Sequence, residues 1–158
     1  MKRLFFVIVC AVWGILACFS QSSELTSGEL QFRNGIEQFL KEEGYFPTID
    51  DDDNSIYFKK EGESYWINVH DTYPTYIEFH KAGFGIEDTD RSYLLEACNR
   101  ATKETRCAKA YVLPSSVSFT IEVFCNTVSD FLYIFYRSLN ALDIVKSNTK
   151  EFYNEFAK

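Results

Sequence analysis

The residues best suited to chemistry are few, and their spacing decides what they can do. Asp50-Asp51-Asp52-Asp53-Asn54 is the densest run of oxygen ligands. Laid out as a calcium-binding loop, Asp50, Asp52, Asn54 and Glu61 fall at positions 1, 3, 5 and 12. Position 6, where such a loop needs glycine for its turn, holds Ser55, and the flanking residues alternate like strands. The run therefore reads as an acidic turn, with calcium binding as the alternative. The only two histidines, His70 and His80, flank the turn Asp71-Thr72-Tyr73-Pro74. They are expected at opposite ends of adjacent strands, a poor metal pair. The motifs HExxH, GxSxG, GxGxxG and the Walker loop are absent, so no nucleophile, zinc ligand set or phosphate cradle is signalled. A small hydrolase with a dispersed site is the remaining enzymatic alternative. No catalytic residue, metal site or cofactor is assigned.

Three cysteines, Cys98, Cys107 and Cys125, lie beyond the N-terminal segment. Whether two of them can bridge depends on the register of the last two strands. If Pro114 faces Val117, then Ala108, Ala110 and Val112 share the inner face with Val123, Ile121 and Phe119, and Lys109 meets water. A shift of one residue sets Cys107 opposite Cys125 but turns Lys109 onto the apolar face, where an unpaired charge is costly. The register without a disulfide is the expectation, and the thiols read as small buried hydrophobes.

These side chains must be positioned by one folded unit. The chain has 158 residues, 46% apolar, and aromatics make up 17%, too much apolar bulk for a disordered protein. The formal charge of −7 disfavours nucleic acid as a partner, because phosphate binding needs a basic face, and no nucleic-acid partner is expected. Lys2 and Arg3 precede the uncharged run Leu4–Ala17. Spanning a bilayer takes about 20 apolar residues, so this shorter run reads as the core of a signal peptide covering residues 1–20. Cleavage before Gln21 would give a mature domain of residues 21–158, periplasmic or secreted. Alternatively, Ile15-Leu16-Ala17-Cys18 resembles a bacterial lipobox, and a lipid on Cys18 would anchor the protein to the membrane.

Thr26-x-x-Glu29 is a capping box, and Phe32, Ile36, Phe39 and Leu40 follow at helical spacing, predicting a helix over 27–43. Phe46–Ile49 forms a short run. Ile56/Phe58, Tyr65/Ile67/Val69 and Ile77/Phe79 then alternate with polar neighbours, predicting an antiparallel meander with a turn at Gly62. Gly83 and Gly85 predict a loop, followed by a helix over about 90–105. Strands at 108–113 and 117–125 come next, and Thr127-x-x-Asp130 opens a last helical region. One helix from 127 to 157 would be about 46 Å long, more than the expected domain diameter, so a break near Asp143–Ser147 is predicted. The fold class is α+β: an antiparallel sheet of five or six strands with helices packed on it, in the order α-β-β-β-(β)-α-β-β-α.

Several stretches carry a resemblance. They are Phe39–Tyr45, Ile56–Tyr65, the helix bearing Cys98-Asn99-Arg100, and Lys109-Ala110-Tyr111-Val112 entering a hairpin. Together with the element order they resemble the YbjN-like family and, behind it, the fold of type III secretion chaperones, over roughly residues 30–155. The resemblance implies a regulatory or polypeptide-binding role and supplies no catalytic residue.

Alternation also predicts what the outer face of the sheet presents. With Ile56, Phe58, Ile67, Val69, Ile77, Phe79 and Ile121 inward, Tyr57, Trp66, Tyr76, Tyr111 and Phe124 point outward, interleaved with Asn68, Glu78, Lys109 and Thr120. Aromatics with polar tips suit recognition. Tyr57, Trp66, Asn68, Tyr76, Glu78 and Tyr111 are the candidate partner-binding residues, for a protein or peptide partner or a second copy of the chain.

Overall fold

The computed structural model describes residues 25–86 and 89–158. The expected signal peptide, its cleavage site and Cys18 lie outside the described residues. Among the described residues no helix is long and apolar enough to cross a membrane.

Each helix begins where the sequence offers a cap. Helix α1 (Ser27–Glu42) starts at Thr26, whose hydroxyl accepts from the Glu29 amide while the Glu29 carboxylate accepts from the Thr26 amide. Helix α2 (Arg91–Glu104) starts at Asp90, whose carboxylate accepts from the Ser92 and Tyr93 amides. Helix α3 (Val128–Phe156) starts at Thr127 with a second capping box through Asp130.

Six strands form one antiparallel sheet: β1 (Thr48–Ile49), β2 (Ile56–Lys60), β3 (Glu63–His70), β4 (Thr75–Gly85), β5 (Ala108–Val112) and β6 (Ser116–Cys125). Their spatial order is β1-β2-β3-β4-β6-β5. The β2–β3 hairpin turns at Glu61 and Gly62, with φ of 54° and 81°. Two consecutive left-handed residues make the turn whose twist matches its strands, and glycine takes the second position without steric cost. Ile56, Phe58, Tyr65, Ile67, Ile77, Phe79, Val117, Phe119 and Ile121 point to one side and are buried. Phe32, Ile36 and Leu40 of α1, Leu94, Ala97 and Ala101 of α2, and Phe131, Phe135 and Leu142 of α3 complete the same core. Among the described residues, all three helices therefore cover one face of the sheet, and none covers the other.

Four expectations are corrected. First, α3 is unbroken over 29 residues, about 43 Å. No Gly or Pro interrupts it, and Asp143–Ser147 is where α3 is fastened to the sheet. Asp143 pairs with Lys81 and accepts from the Tyr65 hydroxyl at 3.0 Å, and Lys146 pairs with Glu63 at 2.6 Å. Beyond that point α3 meets α2 and its C-cap: Asn148 donates to the Thr105 hydroxyl, and Arg100 lies over the Phe152 ring and pairs with Glu155. Second, residues 83–85 extend β4 instead of opening a loop, through an irregularity between Ala82 and Gly85. A Cβ on Gly83 would lie 1.9 Å from the Val117 carbonyl oxygen, so this close crossing of β4 and β6 admits only glycine. Third, Val112 rather than Pro114 faces Val117, and Ala108 faces Ile121. This differs from the expected register by two residues, so every side chain keeps its expected face. Cys98, Cys107 and Cys125 are free thiols; Cys98 and Cys125 are buried and Cys107 is exposed. Fourth, Phe46 lies outside β1 and is 91% exposed, because only Thr48 and Ile49 find partners on β2.

Candidate functional site

The acidic run forms a tight turn between β1 and β2. The Asp50 carboxylate accepts from the Asp52 amide at 2.8 Å, the Asp53 carboxylate accepts from the Ser55 amide at 2.9 Å, and Asn54 adopts φ 60°. These are the self-contacts of Asp and Asn in turns. Glu61 sits beyond the far end of five-residue β2, about 17 Å of strand away. The calcium-loop spacing is thus not realised as a site. Among the described residues no group of three or more His, Cys, Asp or Glu side chains is arranged to hold a metal ion.

The outward face of the sheet is where predicted residues come together. Strand pairing sets them in rows. Tyr57, Trp66, His80 and Thr120 face one another across β2, β3, β4 and β6. The next row is Asn68, Glu78 and Glu122, and the third is His70, Tyr76 and Phe124. In the first row Tyr57 stacks on Trp66 with centroids 6.1 Å apart, and Trp66 stacks on His80 at 4.8 Å with planes 8° apart. In the third, Tyr76 lies 5.2 Å from both His70 and Phe124. Phe124 is 66% exposed.

Glu78 is the hub between these aromatic rows. Its Oε2 accepts from the Asn68 amide nitrogen at 3.2 Å, and Asn68 Oδ1 accepts from the buried Ser55 hydroxyl at 2.6 Å. His70 Nε2 lies 3.3 Å and His80 Nε2 3.5 Å from the same Oε2. The two histidines therefore reach one carboxylate from opposite sides, a convergence that strand-end reasoning missed. The residue parity of β3 and β4 contained that signal, since 66, 68 and 70 share a face with 76, 78 and 80. Burial alone would raise the Glu78 pKa, but the contacts from Asn68, His70 and His80 outweigh it and hold the carboxyl below its ordinary value. Burial lowers the His80 pKa, which Glu78 opposes only in part. The Tyr76 phenol is pushed up to about 12 by burial and by Glu122 and Glu78 beside it. A neutral imidazole, an ionised carboxylate and a protonated phenol make a hydrogen-bonding surface. The Ser55 hydroxyl beside them is committed to Asn68.

Five of the six predicted residues, Tyr57, Trp66, Asn68, Tyr76 and Glu78, thus meet on β2, β3 and β4. Tyr111 stands apart on the edge strand β5, opposite Ser118 and 37% exposed. Lys109, beside it, pairs with Glu122 at 2.6 Å. Sequence reasoning left out His70, His80 and Glu122, which complete the network. Three atoms of the face, His70 Nε2, His80 Nδ1 and Thr120 Oγ1, are buried without a hydrogen-bond partner among the described residues, His70 Nε2 lying near Glu78 at 3.3 Å without hydrogen-bond geometry.

No protein-family model matches the chain, and no curated protein matches it. Among solved structures, the crystal structure of YbjN from E. coli, described as a proposed transcription regulator, is similar with a TM-score of 0.60. The two are 12% identical over 72% of this chain and 87% of that one. The likeness shows that the chain has a YbjN-like α+β fold.

Proposed function

We propose that the protein is an exported, non-catalytic protein-binding domain that engages a polypeptide partner through the outward face of β2, β3, β4 and β6. The observation that carries this reading is the aromatic and polar surface around Trp66, Glu78 and Tyr76, on the side of the sheet opposite all three helices. Aromatic rings with hydrogen-bonding edges are the typical anchors of protein interfaces. Glu78, Glu122 and the Asp50–Asp53 turn give the face and its β1 side an acidic character. The fitting partner is therefore a segment that joins Lys or Arg to apolar side chains. The regulator description of E. coli YbjN is compatible with action through such a contact. The net charge of −7 favours a protein over DNA as the immediate target. Export rests on the charged start and the apolar run Leu4–Ala17.

Trp66→Ala and Ile67→Ala separate binding from packing, because adjacent strand residues point to opposite faces. Trp66→Ala should leave the protein folded while weakening partner capture from the host envelope by about 2 kcal/mol or more. Ile67→Ala, in the core, should cost about 2–5 kcal/mol of stability. If Trp66→Ala unfolds the domain as badly as Ile67→Ala, or leaves capture unchanged, the binding-face reading fails. Intact mass of the protein from its host should correspond to a chain beginning at Gln21. A lipid on Cys18 would replace the freely diffusing form with an anchored one.

A further inference from the structure

A second concave site lies on the helical side of the molecule. Strand β5 begins opposite Ile121, so the last four residues of β6 have no strand on that side. Between this gap and α3 runs a groove of about 360 Å³. Ile121 and Val123 of β6 line it, with Ile134, Arg137, Ser138 and Ala141 of α3. The helical residues recur at the three- and four-residue spacing of one helix face. Arg106 and Cys107, from the turn before β5, close the other side. Cys107 has φ 67°, a left-handed backbone that a non-glycine residue adopts at some energetic cost.

The groove carries two basic side chains at its apolar lining. Acidic residues outnumber basic ones by 23 to 16, and the ion pairs among the described residues use Lys41, Lys60, Lys81, Arg100, Lys109, Lys146 and the two histidines. Arg106 and Arg137 take part in none of them. Two guanidinium groups without an ion-pair partner among the described residues, at one apolar groove, complement an anion that carries an apolar body, since guanidinium forks match carboxylate geometry. The volume lies in the range of small-molecule sites.

We infer that this groove binds a small amphipathic carboxylate, its tail against Ile121, Val123, Ile134 and Ala141 and its head at Arg106 and Arg137. The site is separate from the outward face, so its test does not depend on the protein-binding reading. Cys107 supplies the readout, because it is the exposed thiol among the three described cysteines. The purified protein is treated with a thiol-reactive reagent, and labelling of the Cys107 peptide is timed with decanoate below its micelle concentration. Decanoate should slow the labelling in a saturable way, whereas acetate, which lacks the tail, and decyltrimethylammonium, which reverses the charge, should not. Arg106→Gln with Arg137→Gln should weaken the decanoate effect by about tenfold or more, as loss of charge-assisted hydrogen bonds implies. Labelling indifferent to decanoate would overturn the inference. Equal protection by the cationic detergent, or full protection in the arginine double variant, would also overturn it, because the head would then not be read.

Discussion

Replacing Asp143 by alanine should cost about 3 kcal/mol, and removing its buried partner as well should recover most of that loss. Lys81 lies on the inner face of β4, between Tyr65 of β3 and Phe119 of β6. Its side chain is 5% exposed, and its ammonium sits 5.1 Å from the Tyr65 ring centroid and pairs with Asp143 of α3. The Tyr65 hydroxyl donates to the same carboxylate at 3.0 Å. Burial, followed by Asp143, raises the Tyr65 pKa, so the phenol remains a donor at neutral pH. Asp143→Ala therefore strands a buried cation and a buried hydroxyl at once. Removing one partner of a buried pair typically costs about 3–5 kcal/mol. Asp143 keeps 42% of its side-chain exposure, which places the expectation at the low end. Lys81→Met removes the charge and keeps an apolar stem of similar length. In that background Asp143→Ala should cost less than about 1 kcal/mol. Urea denaturation followed by tryptophan fluorescence and helical circular dichroism measures all four proteins. The midpoint should shift at a constant slope against denaturant. Additive costs in the double variant, or a cost below about 1 kcal/mol for Asp143→Ala alone, would show that the pair does not fasten α3 to the sheet.

Two further outcomes follow from the same geometry. Gly83→Ala should destabilise by about 3 kcal/mol or more, as overpacking and backbone displacement do, because its Cβ would press on the Val117 carbonyl at 1.9 Å; a neutral thermal-melting result would refute that close crossing of β4 and β6. Stability should also fall on mild acidification. The His80 pKa is lowered in the folded state, so the unfolded chain binds the extra proton first and stability declines as pH drops below the ordinary histidine value of about 6.5. Glu78, also lowered, adds a second loss as pH falls through the carboxylate range. His80→Gln should flatten the melting temperature between about pH 6.5 and 5, and an unchanged slope would remove His80 as the source.

The fold was largely legible because its signals are local. The two capping boxes, the left-handed turn at Glu61-Gly62 and the period-two strands each declare themselves within a few residues. Face assignments survived even where the β5–β6 register was off by two, since an even shift preserves the alternation. The unbroken α3 was not legible. Asp143 and Lys146 read as a polar interruption until Lys81, Tyr65 and Glu63, 60 or more positions away in sequence, are known to meet them. Gly83 misled for a related reason. Glycine in a strand serves close backbone approach as readily as it serves a loop, and only the position of β6 distinguishes the two. The groove at Arg106 and Arg137 left no sequence signal, because it exists only where β5 starts late against β6.

The unsatisfied atoms on the outward face connect stability to recognition. His80 Nδ1 and Thr120 Oγ1 belong to residues paired across β4 and β6, and both are buried without partners among the described residues. An unmade hydrogen bond at a buried polar atom costs about 1–3 kcal/mol. Apolar residues at these positions would avoid that cost and suit a sheet face that only had to be stable. Instead His80 lies with its ring face against Trp66, a half-buried aromatic at the centre of the proposed interface. A partner that displaces Trp66 would give His80 and Thr120 access to hydrogen-bonding groups that the free protein denies them. Part of the binding free energy would then come from polar groups left unpaired in the unbound fold.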